Sequence, residues 1–285
     1  MTVKIVTDSS CDLSAEIAQE LGITVVPLYV RFGDKIYRER VDISDEEFYE
    51  KSQHGPIYPV TIQPSPADFA NVYERLSQAD GIISIHVSAK LSGTCNSALQ
   101  GKEMIEKGCP IEVVDSESVT IGLGLISIVA ATAAKAGEGL QRVVEEVKQT
   151  IPNTHILGLL DTLKYLALGG RIGKAKALLG SILNVKPLLT LKDGEVMPAG
   201  QARTRAKGID RLFDFVKNAD IKFTMHTSPN IQDLAVAYST TPNEAQTLVE
   251  RLGSIFPKER IKLVKLGATL GVHSGPGALI VGFRG

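Results

Sequence analysis

The sequence predicts an α/β protein of two α/β domains, an N-terminal parallel sheet with helices on both faces and a C-terminal mixed sheet packed on helices. Three observations carry this. In the first half, short apolar strand runs alternate with helix patterns of crossover length. The rhythm changes at "IPNT", residues 151–154, and the second half holds a hairpin around Asp193-Gly194, a strong turn signal. The expected domains are residues 1–152 and 153–285.

Each element has its own local warrant. Residues 3–7 (VKIVT) read as a strand, and SAEIAQELG as a helix with Ser14 as N-cap and Gly22 as its stop. TVVPLYVRF is a second strand, after which Gly33-Asp34 turns the chain into KIYRE. SDEEFYEK opens with a capping box pairing Ser44 with Glu47. In SPADFANVYERLSQ, Ser65 is an N-cap and Pro66 takes the first helical position. Phe69, Val72, Tyr73 and Leu76 follow at i, i+3, i+4 and i+7, one apolar stripe. Residues 81–87 are the next strand, 94–107 a helix, 111–116 a strand, and 119–136 and 138–150 two helices.

Beyond the break, HILGLLD is a strand and LKYLALGGRIGKAKALLGSIL is helical with a glycine interruption. Helices at 203–218 and 242–255 alternate with strands at 233–239 and 260–266, and 278–284 is the last strand. No internal repeat or low-complexity segment occurs.

Composition narrows the function. The 285 residues carry 31 basic and 32 acidic side chains, a formal net charge of -1, with no Trp and 5% aromatics. A nucleic-acid binder needs a basic stripe or a stacking platform, so nucleic acid is not an expected partner. Cys11, Cys95 and Cys109 form no C-x-x-C pair, which argues against a disulfide framework or a zinc site and points to a reducing cytoplasm. The chain enters a strand directly, so no signal peptide is expected. The longest uncharged run, 119–134, is too short and too rich in small residues for membrane insertion, and reads as a buried helix.

Ligands of open α/β sheets bind beyond the carboxyl ends of the strands. Four polar clusters sit at such ends: TDSS (7–10), VTIQPS (60–65), SAKLSGT (88–94) and DSES (115–118). Each alone fits a turn or an N-cap; together on one sheet edge they favour a site. In the 88–94 loop, Gly93 permits a positive φ and close backbone approach, and the helix starting near Thr94 offers unpaired N–H groups. With the hydroxyls of Ser92 and Thr94 this suits a carboxylate or phosphate, while Ser92 acting only as a helix cap is an equal reading. GVHSGPG (271–277) reads as a tight, rigid loop in which His273 donates to a carboxylate, a bound anion keeping it protonated. LGGRIGKAK and AGQARTRAK are solvated surface or, through Arg171 and Arg203, a meeting point with a phosphate-bearing partner.

Nucleotide and hydrolase motifs are absent. GGRIGKAK lacks the spacing and hydroxyl of a P-loop, and GLGLIS (122–127) lies within a helical pattern rather than a strand-to-helix turn. Ser274 has no nucleophile elbow, and His86 reads as a core histidine within a strand.

Taken in order, VTDSS, TIQPSPADF, LSGTCNSA, VVDSES, LALGGRIG, VKPLLTLKDGEV, RTRAK and GVHSGPGALIVGF resemble the DegV family of bacterial fatty-acid-binding proteins from end to end. The resemblance implies one long-chain fatty acid, such as palmitate, in a buried tunnel between the domains. It also implies a role as the lipid-carrying subunit of a fatty acid kinase, presenting the carboxylate to a separate ATP-binding subunit for phospholipid synthesis. On the family's pattern the headgroup would be met by Thr61, Ser92 and His273, with Gly93 and Thr94 beside them, and Arg171 and Arg203 would face the kinase. Ile62 stands where the family usually has Ser, removing a donor beside the headgroup; Ala89 replaces a frequent Ser, and Cys95 a common aromatic.

Burying about 14 methylenes is worth on the order of 11 kcal/mol gross, so the tail supplies affinity and the carboxylate fixes orientation. The expected protein is a carrier rather than an enzyme, with no cofactor and no metal. The rival readings are an enzyme in its own right, a kinase or acyl transferase using Asp8, Asp115 and Ser92, or a sensor of a small carboxylate.

Overall fold

The computed structural model describes residues 2–106, 108–178, 185–224 and 231–285, the side chains of 220–224 excepted. The chain opens with β1 (Val3–Asp8), a 3-10 turn at Ser9–Cys11 and α1 (Ala15–Leu21). The Ser14 hydroxyl accepts from the Ile17 N–H at the start of α1, and Gly22 ends it in the left-handed region. β2 (Ile23–Val26) and β3 (Tyr29–Phe32) follow where one strand is expected from TVVPLYVRF. The break falls at Pro27, which cannot donate to a ladder, and the two pieces join different sheets.

β4 (Lys35–Arg38), α2 (Asp45–His54), β5 (Val60–Ile62) and α3 (Pro66–Leu76) come next. Both helices start with reciprocal capping boxes, Ser44–Glu47 and Ser65–Asp68. β6 (Gly81–His86), α4 (Thr94–Glu103), β7 (Ile111–Asp115), α5 (Ile121–Lys135) and α6 (Leu140–Thr150) complete the first half. α4 stops at Glu103, short of the expected residue 107, with Met104 as its C-cap.

The second half runs β8 (Thr154–Leu159), α7 (Lys164–Leu168), β9 (Lys186–Lys192), β10 (Glu195–Ala202), α8 (Arg205–Thr224), β11 (Asp233–Tyr238), α9 (Pro242–Leu252), β12 (Ile261–Lys265), α10 (Ala268–Ser274) and β13 (Leu279–Arg284). The glycine interruption after α7 is a turn through Gly170 (φ 69°) into a 3-10 segment at Gly173–Leu178; residues 179–183 of that expected helix lie outside the described residues. α8 continues to Thr224, beyond the expected end at 218. α10 (Ala268–Ser274) takes in the first part of the expected rigid loop, 271–277, and the chain turns only at Gly275 (φ 73°).

Three sheets result among the described residues. The first is wholly parallel, ordered β2-β1-β6-β7. The second is mixed, ordered β10-β9-β8-β13-β11-β12, and only β11 and β12 pair in parallel. The third, β4-β3-β5, is antiparallel and packs on α2 and α10 around Val30, Phe48 and Val272.

α5 joins the halves. It lies against β1 and β6 of the parallel sheet and β8, β11 and β13 of the mixed sheet, so one core runs from Ile5 and Ile83 through Leu123 and Ile126 to Ala235 and Ile280. The glycines of GLGLIS serve this contact: a Cβ on Gly124 would stand 2.7 Å from the Cys11 carbonyl oxygen.

Candidate functional site

The carboxyl edge of the parallel sheet faces a cavity of about 360 Å³. Ser10 after β1, Val87 and Leu91 after β6, and Val119 after β7 form one side. Leu166, Val196 and Leu270 from the second half close it. A smaller chamber of about 90 Å³ adjoins it and shares Val119, Leu166 and Leu270; its remaining wall is formed by Ile156, Leu189 and Ile280, among others. This is the placement expected for a ligand site on an open sheet.

One end of the cavity is polar. Thr61 on β5 and His273 on α10 come from opposite ends of the chain, and Thr61 Oγ1 lies 3.0 Å from His273 Nε2. Ser92 lines the same cavity. Its Oγ lies 2.8 Å from Thr94 Oγ1 and accepts from the Thr94 N–H at 3.3 Å. When Thr94 donates to Ser92, the Ser92 hydrogen is free for the cavity. Thr94 itself is fully buried behind Ser92. Ile62 and Gln63 follow Thr61 along the wall, and Arg171 reaches it from the second half.

Gly93 departs from the expected conformation. Its φ is -76°, so no left-handed backbone is required there. A Cβ there would meet the amide end of the Gln63 side chain, which stands against the Gly93 backbone. Gly93 lies at the open mouth with Lys90, Arg171 and Glu195, not inside the cavity.

His273 is held in one state by its surroundings. Burial, and then the nearby Arg171 charge, lower its pKa to about 4, so the imidazole is neutral near pH 7. That replaces the protonated histidine expected from the sequence. Nδ1 is buried and, among the described residues, has no hydrogen-bond partner; it presses on Gly169 so closely that a Cβ there would clash with it. A hydrogen on Nδ1 would be stranded, so the hydrogen belongs on Nε2, where it is donated toward Thr61 and the cavity. Arg171 donates to the Gly169 carbonyl at 2.7 Å and to the Leu91 carbonyl at 3.2 Å, tying the two sides of the mouth together. Arg203 is exposed just after β10 and lines neither chamber.

Of the four polar clusters, three share the parallel sheet's edge; VTIQPS instead belongs to the three-stranded sheet, whose packing on α10 brings Thr61 to His273. Asp8 accepts from the Val87 N–H and from Ser10, and Asp115 from the N–H groups of Ala89 and Glu117, so both act as turn formers.

Asp8, His86 and Ser84 align like a hydrolytic triad. His86 Nδ1 is 3.0 Å from Asp8 Oδ2 and Nε2 is 2.7 Å from Ser84 Oγ. All three are fully buried and Ser84 also accepts from Tyr73, so the chain of bonds is a brace and not a nucleophile. Burial also pushes the Cys11 and Cys95 thiols up, away from reactivity.

A second network, invisible in the sequence, fixes α10. Glu39, 1% exposed, accepts the Thr269 N–H and hydroxyl at 2.7 Å each, and the Ser9 hydroxyl. Asp12 accepts the Gly267 N–H at 2.8 Å, and Arg40 lies 3.7 Å from Asp12 and 3.1 Å from Asp45. Burial raises the Glu39 carboxyl and pushes Asp12 up to about 7 against the opposing pull of Arg40. Glu39 lies in the charged segment RERVD, which reads as surface, so no local signal marked it.

Residues 2–284 match the family described as "Uncharacterised protein, DegV family". Over 280 residues the chain is 37% identical to a DegV domain-containing protein of Deinococcus radiodurans, with 98% of this chain and 97% of that one covered. It matches the structure of a fatty-acid-binding DegV family protein of Thermus thermophilus at a TM-score of 0.88 and 34% identity, with 100% of both chains covered. It matches a stearic acid-binding protein of Eubacterium ventriosum at a TM-score of 0.86 and 27% identity, covering 100% of this chain and 98% of that one. A parallel and a mixed sheet joined by α5, a cavity between them and full-length matches in sequence and structure lead to one conclusion: the chain belongs to the DegV family.

Proposed function

We propose that this chain binds one long-chain fatty acid in the cavity between its two halves and presents the carboxylate at the mouth to a separate fatty acid kinase subunit. The observation that carries the reading is the cavity itself, apolar along most of its wall and polar where Thr61, Ser92 and His273 converge. A carboxylate there meets donors from two hydroxyls and a neutral imidazole, with Arg171 at the edge. The apolar remainder and the adjoining chamber suit the tail. The fatty-acid-binding descriptions of the Thermus and Eubacterium proteins support the same ligand class.

In this reading Ile62 packs beside the headgroup without donating to it, Gly93 lets Gln63 approach the mouth, and Thr94 aims Ser92. Arg171 and the exposed Arg203 face the kinase. The chain itself supplies no catalytic step, needs no cofactor and works in the cytoplasm; among the described residues no helix is long and apolar enough to cross a membrane.

Native mass spectrometry of the purified protein, followed by organic extraction, tests the reading. A co-purifying fatty acid near one per chain is expected. A bare chain that also fails to take up added stearic acid would contradict it, and magnesium-dependent ATP hydrolysis by the isolated chain would favour the enzyme reading. For the partner, Arg203→Ala is expected to keep lipid binding and slow acyl phosphate formation by the kinase; equal rates would remove Arg203 from that role.

A further inference from the structure

The cavity wall carries a second polar group that a carboxylate does not use. Ser10 and Thr269 both line the cavity and are 1% and 5% exposed. Their hydroxyl hydrogens are already committed: Ser10 donates to Asp8 Oδ1, and Thr269 donates to Glu39 Oε2 at 2.7 Å. The receiving carboxylates are themselves fixed. Asp8 takes the N–H groups of Ser10 at 3.1 Å and Val87 at 3.0 Å, and faces His86 Nδ1 at 3.0 Å. Glu39 takes the Thr269 N–H at 2.7 Å and the Ser9 hydroxyl.

A hydroxyl has one hydrogen and two lone pairs. With the hydrogens directed into the protein, Ser10 and Thr269 show the cavity only lone pairs. A carboxylate gains nothing from them, and a plain methylene chain leaves them unused. A ligand group that donates is what they fit. Their position sets where on the ligand that group would be. Thr269 and His273 stand four residues apart on one face of α10, about 6 Å between their Cβ atoms, and Ser10 joins Thr269 through Ser9 and Glu39. The donating group therefore sits near the carboxyl end of the chain.

We propose that Ser10 and Thr269 form an acceptor subsite for a hydroxyl next to the carboxyl end of the acyl chain, so that α- or β-hydroxy fatty acids are ligands of this protein. The inference rests on the fatty-acid reading above and adds a substrate class to it. A hydroxyl buried among apolar side chains without an acceptor binds worse than a methylene, and these two acceptors reverse that order.

The test compares stearic acid with α- and β-hydroxystearic acid in competition for delipidated protein. At least one hydroxy acid is expected to bind about fivefold tighter than stearic acid, the worth of one matched hydrogen bond. In Ser10→Ala and Thr269→Val the ratio between the two acids is expected to fall toward one. The ratio is read on a single folded protein, so any loss of stability in a variant does not mimic the result. In a crystal of the parent with the hydroxy acid, the ligand hydroxyl should lie within hydrogen-bond distance of Ser10 Oγ or Thr269 Oγ1. Stearic acid binding with no preference for either hydroxy acid, or a hydroxyl turned away from both side chains, overturns the subsite while the fatty-acid reading stands. Failure of all three acids to bind overturns both.

Discussion

At the scale of single residues, the headgroup end depends on one neutral imidazole whose orientation is set by a glycine. His273 has Thr61 on Nε2 and the Gly169 backbone against Nδ1. His273→Ala or Ser92→Ala is expected to weaken fatty-acid retention about 10- to 100-fold, the cost of removing one donor to a charged group. Gly169→Ala is expected to weaken retention too, by forcing the ring from its place, while the melting temperature changes little because α7 ends in an exposed loop. Retention measured by lipid extraction checks all three, and unchanged retention in the His273/Ser92 double variant would remove those side chains from the site. Thr61, Ser92 and His273 line one cavity; Ser92 and His273 stood out in the sequence through their own loops, whereas only resemblance to the family singled out Thr61. Gly169, Glu39 and Thr269 did not stand out, because each matters only through a contact made by a distant part of the chain.

At the scale of elements, α10 is the piece that assembles the site, and its N-terminus rests on buried carboxylates. Asp12 has its pKa pushed up to about 7, above the usual 3.8, so the folded state holds its proton more tightly than the unfolded state does. That stabilising contribution is complete below the unfolded value and is lost as pH rises through about 7. Asp12→Asn removes the titration and keeps an oxygen for the Gly267 N–H. The variant is therefore expected to gain stability relative to the parent as pH rises through about 7, read from melting temperatures across a pH series. A difference independent of pH would show that Asp12 does not titrate in that range. The elements that sequence reading found correctly were those closed by local rules: the Ser44 and Ser65 capping boxes, the Gly22 stop and the Asp193-Gly194 turn, whose φ values are 50° and 73°. α10 escaped because its glycines resemble loop signals while its helix is stabilised by Glu39 and Asp12, far away in sequence. The third sheet escaped because Pro27 divides an apolar run that periodicity alone reads as one strand.

At the scale of the whole molecule, the parallel and mixed sheets share α5 and one core, and the cavity lies where they meet. The alternation of strands and helices was enough to read the parallel sheet and the mixed sheet, since it is written in local periodicity. That the halves press on a common helix was not, because the burial of α5 on all sides looks the same whether one sheet or two cover it. We place the division between the halves at 152/153, in the 3-10 turn after α6, and propose that it separates topology rather than stability. Residues 1–152 expressed alone would leave the α5 surface that meets β8, β11 and β13 bare. That fragment is expected to show no cooperative thermal transition, and a sharp melt by calorimetry would demonstrate an independent domain.

The most direct test of the account is a crystal structure of the delipidated protein soaked with stearic acid. The carboxylate is expected within hydrogen-bond distance of Thr61, Ser92 and His273, with the tail running between the sheets. Side chains filling that space, or a carboxylate bound elsewhere, would contradict it.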